Sequence, residues 1–78
     1  MADKRVTDYI ADNLYIFRGL VKLGLASSSA LASYSTNLYF EALGPGIPIM
    51  ERYTITAKAK KVSESYVRKA VRDMNKKA

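Results

Sequence analysis

The chain's 78 residues leave room for one domain whose core lies near the lower size limit for independent folding. Neither cysteine nor histidine occurs, which excludes disulfide staples, thiolate or imidazole metal ligation and histidine general-base chemistry. A 49% apolar composition sets it apart from disordered chains, and the net charge of +6 lies entirely in residues 46–78, where nine basic residues face three acidic ones. The first 45 residues carry four charges of each sign. One neutral half and one basic half predict a positive surface, the footprint of a polyanion-binding protein.

The first predicted helix covers approximately residues 5–23. Val6, Ile10, Leu14, Phe17 and Val21 recur at spacings of three and four, one stripe of an amphipathic helix. Thr7 or Asp3 is the expected N-cap, Asp8 favours the positive N-terminal end, and Gly24 is the expected stop. Tyr9, Ile16, Leu20 and Leu23 widen the apolar surface beyond one stripe. That width predicts burial on two sides, by the domain itself and by a second subunit. Arg18 and Lys22 interrupt the apolar run from Leu14 to Ala26. A spanning helix needs about 20 predominantly apolar residues, so no membrane segment is expected and the protein reads as cytoplasmic.

A second helix is predicted over 29–43. It starts from the cap offered by Ser27-Ser28-Ser29, and Leu31, Tyr34, Leu38 and Ala42 form its inward stripe. Tyr34, Thr36, Leu38 and Phe40 also alternate as a strand would over 34–40. Helix is preferred because a lone strand there has no partner. Gly44-Pro45-Gly46-Ile47-Pro48 is a turn, and it lacks the lysine–serine/threonine pair of a phosphate-binding loop. The third helix then runs over 48–60, with Ile49, Tyr53 and Ala57 or Ala59 facing inward, and the fourth over 63–75, capped by Ser63. The expected fold class is therefore all-α, a small four-helix domain filling residues 1–78.

The stretch Tyr53 to Arg72 carries the function. On a helix starting at Ser63, Val67, Ala70, Val71 and Met74 form one face, and Ser65, Arg68, Lys69, Arg72 and Lys76 lie largely elsewhere. With Ala57 as a small residue before a short turn, and Val62-Ser63 ending that turn, this segment resembles the helix-turn-helix of bacterial and phage transcription regulators. A second, weaker likeness, through Tyr53, Ala57-Lys58, Ser65, Val67, Ala70 and Arg72, is to the DNA-binding effector domain of the sporulation master response regulator, which is all-helical without a β wing. Two departures stand out. Lys61 occupies a turn position where the family prefers glycine, and Thr56 and Lys60 stand where it prefers apolar residues. A turn one residue longer would put Ile55 and Ala59 in those places instead.

The resemblance implies a C-terminal helix-turn-helix without a β wing, whose last helix enters the major groove of double-stranded DNA from its Ser63–Tyr66 end. Arg52, Lys58, Lys60, Lys61, Ser63, Glu64, Ser65, Tyr66, Arg68, Lys69 and Arg72 are the candidate contacts. Arginine reads guanine through two hydrogen bonds, and lysines beside the reading helix anchor phosphates. Glu64 either reads cytosine or holds the helix end, and Tyr66 either meets a base or leans on its own helix. The expected function is a sequence-specific regulator of phage, plasmid or mobile-element type, nucleoid-associated and homodimeric through the first helix, which reads a palindromic site. The alternatives are a protein-interaction module that presents its basic face to an acidic protein, and an architectural or partition-type DNA-binding protein. No enzyme motif, metal, cofactor or small-molecule ligand is expected.

Overall fold

The computed structural model describes residues 4–77. It contains five helices: α1 Val6–Asp12, α2 Leu14–Lys22, α3 Ser29–Ala42, α4 Ile49–Lys60 and α5 Glu64–Met74. Among the described residues there is no strand, and β-type pairing is confined to an isolated antiparallel bridge between Arg5 and Lys77. The expected all-helical class holds, and the strand alternative for residues 34–40 is replaced by helix. None of these helices is long and apolar enough to cross a membrane.

The expected count of four helices is corrected to five. The long first helix breaks at Asn13, whose backbone leaves helical geometry (φ −121°, ψ 23°). Its side-chain amide donates to the Tyr9 carbonyl at 2.9 Å. Asparagine offers the backbone a local partner that competes with the helical ladder, and here that competition splits α1 from α2. The apolar stripe survives the break. Ile10 is buried, with Val6, Leu14 and Phe17 packed beside it against Tyr34 and Met74.

The cap of α1 also differs from expectation. Arg5 is the N-cap, and its backbone N–H donates to Asp8 Oδ2 at 3.1 Å. Thr7 lies inside the first turn, 4% exposed, because α1 turns this position toward the core. The other expected cap, Asp3, lies outside the described residues. Arg5 further ties the N-terminal segment to α3 and to the end of α5. Its Nη1 donates to Glu41 Oε2 at 2.9 Å and to Asn75 Oδ1 at 2.6 Å. Asn75 Nδ2 donates to Asn37 Oδ1 at 3.1 Å, and Asn37 Nδ2 to Glu41 Oε2 at 3.2 Å. The Val6 N–H closes the same junction by donating to the Lys76 carbonyl at 2.8 Å. Hydrogen bonds from the Arg5 side chain and backbone hold the Asp8 carboxyl below the usual carboxylate range.

α3 is the central element, with α1, α4 and α5 packed on it. Neighbours on several sides widen its buried arc, so the expected Leu31–Tyr34–Leu38–Ala42 stripe does not describe its inner face. The buried residues are Tyr34, Thr36, Asn37 and Phe40, whereas Leu38 is 45% exposed and Ala42 is exposed. A second core cluster joins Phe40, Ala57 and Val67, with Tyr53, Val62 and Val71 packed around it. The Phe40 and Tyr53 rings stack at 5.1 Å. Two further expected inward residues of α4, Ile49 and Ala59, are exposed. Ile49 opens the helix at its solvent end, and Ala59 lies off the arc that carries Tyr53, Thr56 and Ala57.

Candidate nucleic-acid interface

The link between α4 and α5 is three residues, Lys61-Val62-Ser63. Lys61 takes the left-handed backbone conformation (φ 58°, ψ 46°). The Val62 N–H returns to the Ala57 carbonyl at 3.0 Å and the Lys61 N–H to the Lys58 carbonyl at 3.4 Å. These are the paired reverse bonds of a helix C-terminus that turns on a left-handed residue, and Val62 completes the motif by packing into the cluster that holds Ala57. Ser63 then caps α5, its Oγ accepting the Tyr66 N–H at 3.1 Å.

This turn settles the register of α4. Thr56 (0% exposed) and Ala57 (7%) face inward, and Ile55 is 36% exposed. The longer-turn alternative, which turned Ile55 and Ala59 inward, is replaced by the register centred on Ala57. A small side chain there lets α5 approach α4 closely.

α5 has two unlike sides. Val67 (0% exposed), Ala70 (2%) and Met74 (5%) are buried, with Val71 half-buried beside them. Around the helix from that face, Ser65, Lys69 and Arg72 occupy the opposite arc, and Lys76 follows just past the helix end. Lys69 and Arg72 keep 68% and 71% of their side-chain surface in solvent. Lys69 Nζ pairs with Asp73 at 2.9 Å, and Lys76 and Arg72 stand at 3.6 and 3.9 Å from the same carboxylate. The Lys69 hydrogen bond holds the Asp73 carboxyl below its ordinary range. Asp73 therefore stays ionised near neutrality and partly offsets three cations.

The remaining candidate residues fall into two groups. Lys58 and Lys61 are exposed beside the turn, and Ser65 is exposed on the outer arc. The others are engaged by the protein's own helices. Arg68 lies 5.2 Å from the Tyr53 ring centroid and 3.9 Å from Met50 Sδ, leaning on α4. Glu64 Oε2 accepts the Thr54 hydroxyl at 3.1 Å, again across to α4. Arg52 covers the Phe40 ring at 4.8 Å and donates to the Ile47 carbonyl at 3.1 Å. Lys60 donates to Ser35 Oγ at 3.0 Å over the Tyr39 ring. Tyr66 is half-buried.

Compared with family models, curated proteins and solved structures, the chain matches none. Lys58, Lys61 and Ser65 remain open at or beyond the turn and Lys69 and Arg72 face solvent beside Asp73, whereas Arg52 and Lys60 turn toward α3.

Two further cations escaped the sequence reading, because charge counting made the N-terminal half neutral. Asp8 and Glu41 are both taken up by Arg5, and Asp12 by Lys4. Arg18 and Lys22 are left exposed on one side of α2 with no acidic partner among the described residues. They share a shallow groove with Tyr15 and Gly19. Helical spacing was the available signal, since Tyr15, Arg18 and Lys22 follow one another at three and four residues.

Proposed function

We propose that the protein binds double-stranded DNA through α4 and α5 arranged as a helix-turn-helix, with the outer arc of α5 in the major groove. One observation carries the reading. α5 buries Val67, Ala70 and Met74 fully while Lys69 and Arg72 keep most of their side chains in solvent on the opposite arc. A helix anchored in this way presents hydrogen-bond donors at a width that the roughly 12 Å major groove accepts. Ser65, Lys69 and Arg72 are the candidate base contacts and Lys58 and Lys61 the phosphate anchors. Arg68 and Glu64 lean on α4 and hold the two helices at their angle. Such contacts suit a nucleoid-associated regulator of transcription.

Fluorescence anisotropy with a duplex selected from a random pool, over a salt series, tests this. Affinity is expected to fall steeply with salt, by a logarithmic slope of about 0.9 per phosphate contacted. Arg72→Ala is expected to lose about 1–3 kcal/mol of binding if it reads a guanine. Lys58→Ala is expected to flatten the salt slope, and Arg68→Ala to weaken binding less than either. Unchanged affinity in the Lys69→Ala/Arg72→Ala double variant removes the reading.

The rival is a module that binds an acidic protein surface, and it draws on Ile49 and Met50, which are 50% and 55% exposed at the start of α4. An interface of that kind has an apolar centre and a charged rim. Absence of duplex binding at low salt would favour it. An architectural role would appear in the same assay as spreading along the DNA without sequence preference.

A further inference from the structure

α2 is an amphipathic helix without a single buried residue. Its inner side lays Leu14 and Phe17 against the first core cluster. Its outer side carries a second apolar stripe, Ile16, Leu20 and Leu23, spaced as successive turns of one face. Ile16 is 58% exposed and Leu23 73%. The helix ends on Gly24 (φ 75°), with the Leu25 N–H returning to the Leu20 carbonyl at 2.9 Å and the Gly24 N–H to Val21 at 3.0 Å. That turn sets Leu25, also 73% exposed, beside the same stripe. Tyr15, 91% exposed, flanks it across Gly19, where an added Cβ would meet nothing within 4 Å.

We propose that this face of α2 is the pairing surface between two copies of the chain. Three observations point to a second copy as the occupant. A helix of nine residues is marginal in water and α2 is anchored only through Leu14 and Phe17, with no residue fully buried, so covering its outer stripe would add the burial it lacks. The stripe itself is uncharged, and Arg18 and Lys22 lie beyond it beside Tyr15, at the rim of the patch. A two-fold pairing, which sets the same patch of each copy against the other, therefore keeps like charges at its rim and out of its centre. The area is also sufficient. Taking about 100 Å² for each exposed aliphatic side chain and about 200 Å² for Tyr15, the patch offers roughly 500 Å² per copy. Two copies then bury about 1,000 Å², the lower bound for a specific interface.

Sedimentation equilibrium of the full chain without DNA tests the pairing, so its failure is separate from failure of the DNA reading. The wild-type protein is expected to sediment as a dimer at tens of micromolar. The Ile16→Glu/Leu23→Glu variant should dissociate at least about 100-fold more readily, with a circular dichroism spectrum showing the helices retained. Because the chain lacks cysteine, a second measurement is available. Oxidation of Ile16→Cys, Leu20→Cys or Leu23→Cys should cross-link chains in at least one case, and oxidation of Lys58→Cys should not. A wild-type chain that stays monomeric to several hundred micromolar overturns the proposal. A dimer unchanged by the double substitution, with no cross-link in the three α2 variants, assigns pairing to another surface and overturns it equally.

Discussion

Thr56 sits fully buried on α4, and its Oγ1 has no hydrogen-bond partner. A buried hydroxyl in that state carries its desolvation penalty with nothing to offset it. Thr56→Val keeps the branched shape and removes the oxygen, so stability is expected to rise by about 1 kcal/mol. The change is read as a higher urea midpoint at unchanged slope. A lower midpoint would show that the hydroxyl finds a partner in solution. Five residues further on, Lys61 holds a left-handed backbone that glycine adopts without strain. Lys61→Gly is expected to stabilise the fold by about 0.5–1 kcal/mol, since the gain in the turn exceeds the extra freedom given to the unfolded chain. On the reading that the protein binds duplex DNA, it also removes a proposed phosphate anchor. Duplex binding should therefore weaken while the melting temperature rises, and a joint fall would mean that the lysine side chain itself holds the turn.

At the level of elements, legibility followed the number of neighbours each helix has. α5 packs one face and bares the other, so a single stripe through Val67, Ala70 and Met74 describes it, and its cap at Ser63 is visible as well. α3 lies among three helices, and there periodicity turned Leu38 and Ala42 inward and left Asn37 unassigned. The sequence has no local sign that Asn37 meets Asn75, because that bond depends on how distant segments are brought together, whereas Glu41, four residues on, is within ordinary helical reach. Nor does apolar spacing register Asn13, where one side-chain amide ended a helix that the stripe continues through. The α3 correction is testable by paired substitutions. Asn37→Ala removes both part-buried bonds and is expected to cost about 2–3 kcal/mol, whereas Leu38→Ala, on the exposed side, should stay within about 0.5 kcal/mol. Thermal melting reads the difference directly, at about 4–8 °C per kcal/mol for a domain of this size. The opposite order would return Leu38 to the core.

The molecule as a whole measures 36 × 32 × 17 Å, and this flatness explains both the exposed apolar side chains and the distribution of charge. A thin body has much surface for its volume, so side chains such as Ile16, Leu23 and Leu25 stay outside for want of an interior. The same geometry spreads the cations over two places. The chain's net charge was legible from the sequence, but its placement was not, since neutrality of the first half hid the fact that Arg5 and Lys4 take up Asp8, Glu41 and Asp12. Arg18 and Lys22 then stand without an acidic partner among the described residues, a second positive face besides that of α5. On the reading that the protein binds duplex DNA, these two residues contact phosphates that flank the groove occupied by α5. Arg18→Ala/Lys22→Ala should then reduce the logarithmic salt slope of binding by about 1.8 per chain, at about 0.9 for each phosphate released. The melting temperature should hold, because neither residue has an acidic partner among the described residues. Sequence preference should hold as well, since phosphate contacts position a protein without reading bases. An unchanged slope, with wild-type binding intact, would take α2 off the duplex and leave α4 and α5 as the sole contact.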